Sequence, residues 1–341
     1  MAYTSQFTIY SSADASHPVL NGTSGSLLAL LNACLVTGYG SKPGAGWTKT
    51  GSIDSANGVS ISDNNNCGIF VQPTGSQATL FLADNASSAG AGATRNARAT
   101  GFEYVTQFTS SVPAIITGSN QFPTYAQVSV GNGVVAVRKS LTADATERQW
   151  IVFADSSSMY YFAVTGDSIS GVYRGFAFGD IFSLVVGSND ISKCIIIGVP
   201  LESQADWGNN DRLDRLDDVS TAIPGHFMKR SFGGFGGSIT CGKHGDGAKG
   251  STTHLLGLTQ YVNGADNGMY ISPVWVHEDV NSCIRGRMRG FWHLCHPVAS
   301  FSDGQVLTGT DDFAGKTFQV VGLGGNGGNF CIETSATVET N

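Results

Sequence analysis

Leucine spacing gives the first regular signal along the chain. Leu27, Leu28, Leu31 and Leu35 recur at helical intervals after the polar stretch Asn21–Ser24, whose side chains suit a helix N-terminus. Gly38 then supplies a stop. The spacing predicts a helix over Ser24–Thr37 with its leucine side turned into a core. After Tyr39 the period becomes that of strands. Cys67–Asn85 reads as one hairpin around a Thr-Gly-Ser-Gln turn, and Gln149–Thr165 as another around Ser156–Ser158. Phe182–Val186 and Cys194–Val199 are unbroken apolar runs, which predicts strands covered on both faces. Toward the C-terminus, short runs such as Val274–Val276 and Phe318–Val321 alternate with Gly, Asp and Asn turns. Ala86–Ala99 reads as a loop of small residues, and Ser203–Val219 as a polar stretch with room for one short helix. No repeat of roughly 20–50 residues recurs, which argues against solenoids and propellers.

This pattern predicts a mainly β protein, with β-sandwich or barrel-like domains and one N-terminal helix packed on the sheet. The expected organisation is an N-terminal segment with the helix (1–50) packed on the C-terminal part, a variable β domain (51–136) and a mainly β core domain (137–341).

Composition narrows the function. Charged residues are 13% of the chain, about half of the roughly 25% usual for soluble domains. Glycine supplies 45 of 341 residues, which suits short strands joined by tight turns. A charge-poor surface is one that partners can cover, so a homo-oligomeric building block is expected. The net charge of −7 does not draw in nucleic acid. No apolar run approaches a membrane span, and the first residues lack the basic and apolar regions of a signal peptide. The seven cysteines are scattered and mostly set in apolar runs, as buried free thiols made in a reducing cytoplasm would be.

Several stretches imitate functional motifs. Gly237–Lys243 matches the phosphate-loop spacing, but His244 stands where a magnesium-binding hydroxyl is needed. Ala314–Thr317 ends like such a loop, yet a strand follows it, and Gly322–Gly327 also opens onto a strand. All three read as turns, with no nucleotide cofactor. Cys241, His244, His277, Cys283, His293, Cys295 and His296 are metal-ligand types within one third of the chain. Their spacing matches no compact zinc knuckle, and on a strand His296 faces away from His293 and Cys295, so no metal is expected. The run Asp211–Asp218 lacks the glycine and closing glutamate of a calcium loop and reads as a solvated helix. No serine elbow and no catalytic pair can be named, so no catalytic residues are expected.

The densest chemistry lies in Ile284–Pro297. Arg285, Arg287 and Arg289 alternate, which places all three on one strand face, with Trp292 close behind. Three cations in a row need carboxylates or phosphates around them. Glu278, Asp279, Asp311 and Asp312 are candidates, from this chain or a neighbouring copy. Arginine suits such dry, bidentate pairing, so Arg285, Arg287, Arg289 and Trp292 are the expected interface residues, with an internal network or a nucleic-acid strip as the alternatives.

Several segments also resemble a family of virion structural proteins of tailed bacteriophages. They are Ser11–Lys49, Val137–Asp155, Gly225–Asp246, Ile271–Glu278, Arg285–Gly304, Asp311–Phe318 and Phe330–Ser335. Gly51–Ser129 departs most from the family's pattern. The resemblance implies a minor structural or tail-associated protein, placed in the virion beside other virion proteins, and supplies no catalytic residues. A head-surface or head–tail accessory role is the alternative within that class. A glycan-binding or glycan-cleaving receptor protein is the alternative outside it, with host surface glycan as partner and Trp47, Trp207 and Tyr261 as candidate stacking aromatics.

Overall fold

The structure, a computed structural model, describes residues 3–50, 66–84, 96–108, 116–124, 133–164, 173–185, 190–200, 226–231, 234–235, 239–242, 271–278, 283–294, 302–322, 329–335 and 337–339. Strands β1 (Tyr3–Ser5) and β2 (Thr8–Ser11) precede helix α1 (Ser26–Asn32) and strand β3 (Thr48–Thr50). Next come β4 (Cys67–Val71), β5 (Thr79–Ala83), β6 (Asn96–Phe102), β7 (Tyr104–Phe108), β8 (Ile116–Ser119) and β9 (Val135–Arg138). The middle holds β10 (Trp150–Ala154), β11 (Ser158–Val164), β12 (Tyr173–Asp180), β13 (Phe182–Ser183), β14 (Cys194–Ile197), β15 (Val199–Pro200) and β16 (His226–Met228). Then follow β17 (Arg230–Ser231), β18 (Gly234–Phe235), β19 (Ile239–Gly242), β20 (Ile271–Glu278) and β21 (Cys283–Leu294). The last are β22 (Val306–Thr308), β23 (Thr317–Gly322), β24 (Asn329–Glu333) and β25 (Thr337–Glu339). The protein is mainly β, with a single α-helix among the described residues, near the N-terminus.

Three antiparallel sheets carry the core. The central one runs β16-β14-β12-β11-β10-β2. A second runs β15-β9-β6-β5-β4-β3, and a third β19-β20-β21-β24-β23-β22, with β13 paired to β21. The alternation of side chains on the central strands sets the stacking. Trp150, Val152, Ala154, Met159, Tyr161, Ala163, Cys194 and Ile196 pack with α1 and with Phe70, Leu80, Leu82, Ala97 and Val135 of the second sheet. Their neighbours Ile151, Phe153, Tyr160, Phe162, Ile195 and Ile197 pack with Val274, Val276, Met288, Phe291, Phe330 and Ile332 of the third. The central sheet is therefore the middle layer. Every residue of β10 and β14 is buried, which is why both read as unbroken apolar runs.

The outer sheets carry smaller clusters on their far faces, Ile69, Phe81 and Phe102 on the second and Trp292, Leu294, Phe318 and Val320 on the third. The chain passes between layers at two single residues. After Ile181 it leaves β12 and pairs with β21 of the third sheet, and after Gly198 it leaves β14 and pairs with β9 of the second. A Cβ at position 198 would lie 2.8 Å from Val135 Cγ2, so the second crossing suits a residue without a side chain.

The predicted helix is present but begins later and closes differently. It is α-helical over Ser26–Asn32 and finishes in a π turn over Ala33–Thr37. Leu27, Leu28, Leu31 and Leu35 are all buried, as their spacing predicts. Its N-terminal residue, Gly25, offers no side-chain cap. The free amides of Leu27 and Leu28 instead bond the carboxylate of Asp84, at 2.8 and 3.2 Å. Both predicted hairpins form, β4–β5 and β10–β11. The run Phe182–Val186 departs from its expectation. Of its described residues, 182–185, Phe182 and Ser183 are strand, both half-buried, and Leu184 is exposed, because β13 pairs at the margin of the third sheet; Val186 lies outside the described residues. Strand pairing links distant segments of the chain: β2 pairs with β10, β3 with β4, and β15 with β9.

Candidate functional site: the arginine strand and a cleft beside the central sheet

Strand β21 breaks the alternation that would align its arginines. Gly286 pairs with Val276 and Ile284 with His277, so Arg285 is the extra residue of a bulge. Further along, Arg287 pairs with Trp275 and Trp292 with Pro273, leaving Met288–Phe291 opposite Val274 alone. Gly290 takes a φ of 59° within that second irregularity. Bulges re-aim side chains. The single row of three cations expected from the sequence therefore does not form.

Each arginine instead has its own setting. Buried Arg285 places Nη2 at 2.9 Å from Asp190 Oδ2 and Nε at 3.8 Å from Glu278 Oε1. Buried Arg289 donates to Asp155 Oδ2 at 2.7 Å, to Ser158 Oγ at 3.0 Å and to Ser157 Oγ. Arg287 lies over two rings, 4.9 Å from the centroid of Phe182 and 5.8 Å from that of Trp292. Trp292 is buried edge-on against Phe313 and Phe318, with Nε1 3.4 Å from Glu333 Oε2. The carboxylates facing Arg285 and Arg289 belong to this chain. Of the expected partners, Glu278 reaches an arginine, Asp311 and Asp312 lie on an exposed 3-10 turn, and Asp279 lies outside the described residues.

Asp155 ties the layers together. Its carboxylate takes Arg289 from the third sheet and the amides of Ser157 and Ser158 in its own turn, while its carbonyl accepts Trp47 Nε1 at 2.6 Å. Trp47 is only 2% exposed, which removes it as a sugar-stacking platform. Its ring is enclosed because it packs edge-on against Phe178 of the central sheet. Trp207 and Tyr261 lie outside the described residues.

Two further buried charge clusters serve the second sheet. Lys139 and Asp84 form an ion pair with almost no exposed surface. Burial raises the Asp84 carboxyl and lowers the Lys139 ammonium, each opposed by the partner's charge. Asp180 bonds the Ser76 amide at 2.9 Å and lies 3.7 Å from Lys193. Burial raises its carboxyl too, against those hydrogen bonds and charges. A Cβ on Gly75 would lie 2.0 Å from Asp180 Oδ2, so the turn that presents Ser76 needs glycine.

The motif-like stretches sort as turns where they are described. Lys316 follows Gly315 in a turn, pairs with Glu333 at 3.2 Å and leads into β23. Lys243 and His244, Cys295 and His296, and Asp211–Asp218 lie outside the described residues, as does 323–328. Among the described residues no three His, Cys, Asp or Glu side chains converge on one point. His293 is buried with its ring edge against Phe330. Cys34, Cys67, Cys194 and Cys331 are buried free thiols.

Sequence reasoning did not find a cleft of about 390 Å³ at the margin between the central and third sheets. One wall is the end of β2 with Ser11 and Ser12, beside Glu147 and Gln149 on the approach to β10. The other is Asp303, Gly304 and Gln319, and Ile151 and Val321 also line it. The lining residue Glu147 is held through its carboxylate by His17, at 2.6 Å, whose other ring nitrogen lies 2.7 Å from the Asp14 carbonyl. No protein-family model matches this chain, and no curated protein does.

Proposed function

We propose that this chain is a structural, non-enzymatic component of a tailed bacteriophage virion, associated with the tail or its tip and assembled in multiple symmetric copies. The observation that carries the reading is an exposed apolar group at one margin of the third sheet. Leu184, Ile191 and Ile284 are all exposed there. They gather around one buried ion pair, since the Leu184 amide bonds the Arg285 carbonyl at 3.0 Å and Asp190 holds the Arg285 guanidinium. Val306 is also exposed, on the edge strand β22 of that sheet. Scattered exposed leucines need no explanation, whereas grouped ones suit a covered surface. The low charge content and the likeness to phage structural proteins point the same way.

On this reading the Arg285–Asp190 pair holds β21 rigid beneath the contact, and neighbouring virion proteins or copies cover the apolar group. The test is cryo-electron microscopy of particles carrying either the native chain or the Leu184→Lys/Ile284→Lys variant. Native density at the tail and loss of the variant from particles, with its melting temperature kept, is the expected result. Native density on the head surface or neck would select the accessory role, and absence from the particle would sink the proposal.

A further inference from the structure

We propose that the cleft between β2, the 147–151 segment and the Gly304–Gln319 wall binds a neutral oligosaccharide. The inference stands apart from the virion reading, because it rests only on the chemistry of the lining. The volume of about 390 Å³ lies in the lower part of the roughly 300–1,000 Å³ span of small-ligand sites. It leaves room for the end of a di- or trisaccharide.

Four features select the ligand. First, Gln149 and Gln319 stand on opposite walls, and neither side-chain amide has a hydrogen-bond partner among the described residues. Each offers two donors and an acceptor, the mixed set that vicinal hydroxyls satisfy in both roles. Second, Asp303 and Glu147, the latter also holding His17 at 2.6 Å, line the cleft with negative charge, which repels anionic ligands. Third, the one arginine of the lining is turned away from a ligand. Arg148 donates from Nε to Ser140 Oγ at 3.0 Å and from Nη2 to Thr142 Oγ1 at 2.6 Å, and lies 3.6 Å from Asp144. Phosphate, sulfate and acidic sugars therefore find no free cation there among the described residues. Fourth, the apolar residues of the lining are sealed, Ile151 at 7% and Val321 at 1% exposed, so the surface a ligand meets is polar. Trp150 also lines the cleft but is 1% exposed, so no aromatic platform is available and the affinity is expected in the millimolar range.

The walls are built rather than loose. Gln319 sits on β23, paired with both Val306 and Ile332. Gly304 is anchored through its amide to the Val320 carbonyl at 2.9 Å, and Ser12 through its amide to the Trp150 carbonyl at 3.0 Å.

The experiment is saturation-transfer difference NMR on the full chain with a panel of neutral disaccharides and trisaccharides (gluco-, manno-, galacto- and N-acetylglucosamine series), and sialyllactose and glucose 6-phosphate as anionic controls. At least one neutral series is expected to give transfer, and the anionic controls none. Gln149→Ala and Gln319→Ala should each weaken binding about 2- to 13-fold, the range for one lost hydrogen bond. Gln319→Trp, which fills the cleft from a surface strand position, should abolish it. Each variant is checked by its melting temperature, so that a loss of fold is not read as a loss of site. Transfer from no neutral sugar, preference for the anionic controls, or binding unchanged in all three folded variants would each overturn the proposal.

Discussion

Lys139 is a lysine with no exposed side-chain surface, and its position explains the start of the only α-helix among the described residues. Asp84 faces it while accepting the Leu27 and Leu28 amides, so one carboxylate balances a buried cation and caps α1. Removing one partner of such a pair strands the other. Asp84→Ala is expected to cost about 3–5 kcal/mol in urea unfolding, with Lys139→Met close behind. The Asp84→Ala/Lys139→Met double variant should lose less than the sum, retaining a cap penalty of about 1 kcal/mol. Strict additivity of the two changes would refute the coupling. His17 gives a pH dependence of known sign. Both ring nitrogens face oxygen acceptors, Glu147 first and the Asp14 carbonyl second, and these raise its pKa above the ordinary 6.5. A raised folded value means that the contribution is complete below about pH 6.5 and fades as pH rises through the folded pKa. Melting temperature followed from pH 5 to 9 should fall more for the native chain than for His17→Gln. Equal slopes would show that the bridge contributes nothing.

At the scale of elements, local periodicity was readable and long-range pairing was not. The leucine spacing of α1 and the hairpins β4–β5 and β10–β11 were visible because each is decided by residues close in sequence. The cap of α1 was hidden, since Asp84 lies 57 residues beyond Leu27. The arginine strand misled for another reason. A run of alternating arginines looks the same with or without a bulge, and the bulges are fixed by β20, the strand that pairs with it. Gly286 holds that arrangement in place: a Cβ there would lie 2.2 Å from the Phe182 carbonyl oxygen. Gly286→Ala is therefore expected to displace β13 and cost about 1–3 kcal/mol. Because Arg287 stacks on Phe182, amide exchange at Ser183 and Leu184 should rise in the variant, and unchanged protection there would refute the steric account. Leu31→Ala, by contrast, leaves a hole between α1 and two sheets and should cost about 2–5 kcal/mol by thermal or urea unfolding. The candidate cleft was beyond sequence reasoning because its walls, around Gln149 and Gln319, come from strands of different sheets.

Across the whole molecule the sheet order decides which strands meet water. Strand β20 buries Val274, Val276 and Glu278 and leaves the residues between them partly open, as a strand of an outer layer does. Strands β10 and β14 have no such second face. A saturation mutagenesis scan scored by soluble yield would display this difference directly. Polar substitutions in β20 should be tolerated at every other position, giving a comb of permitted and forbidden sites. In β10 and β14 the comb should close into solid blocks, with a charge rejected at each of Trp150–Ala154 and Cys194–Ile197. The middle layer would then be the part of this protein least free to drift in sequence, while the outer strands keep one face open to change.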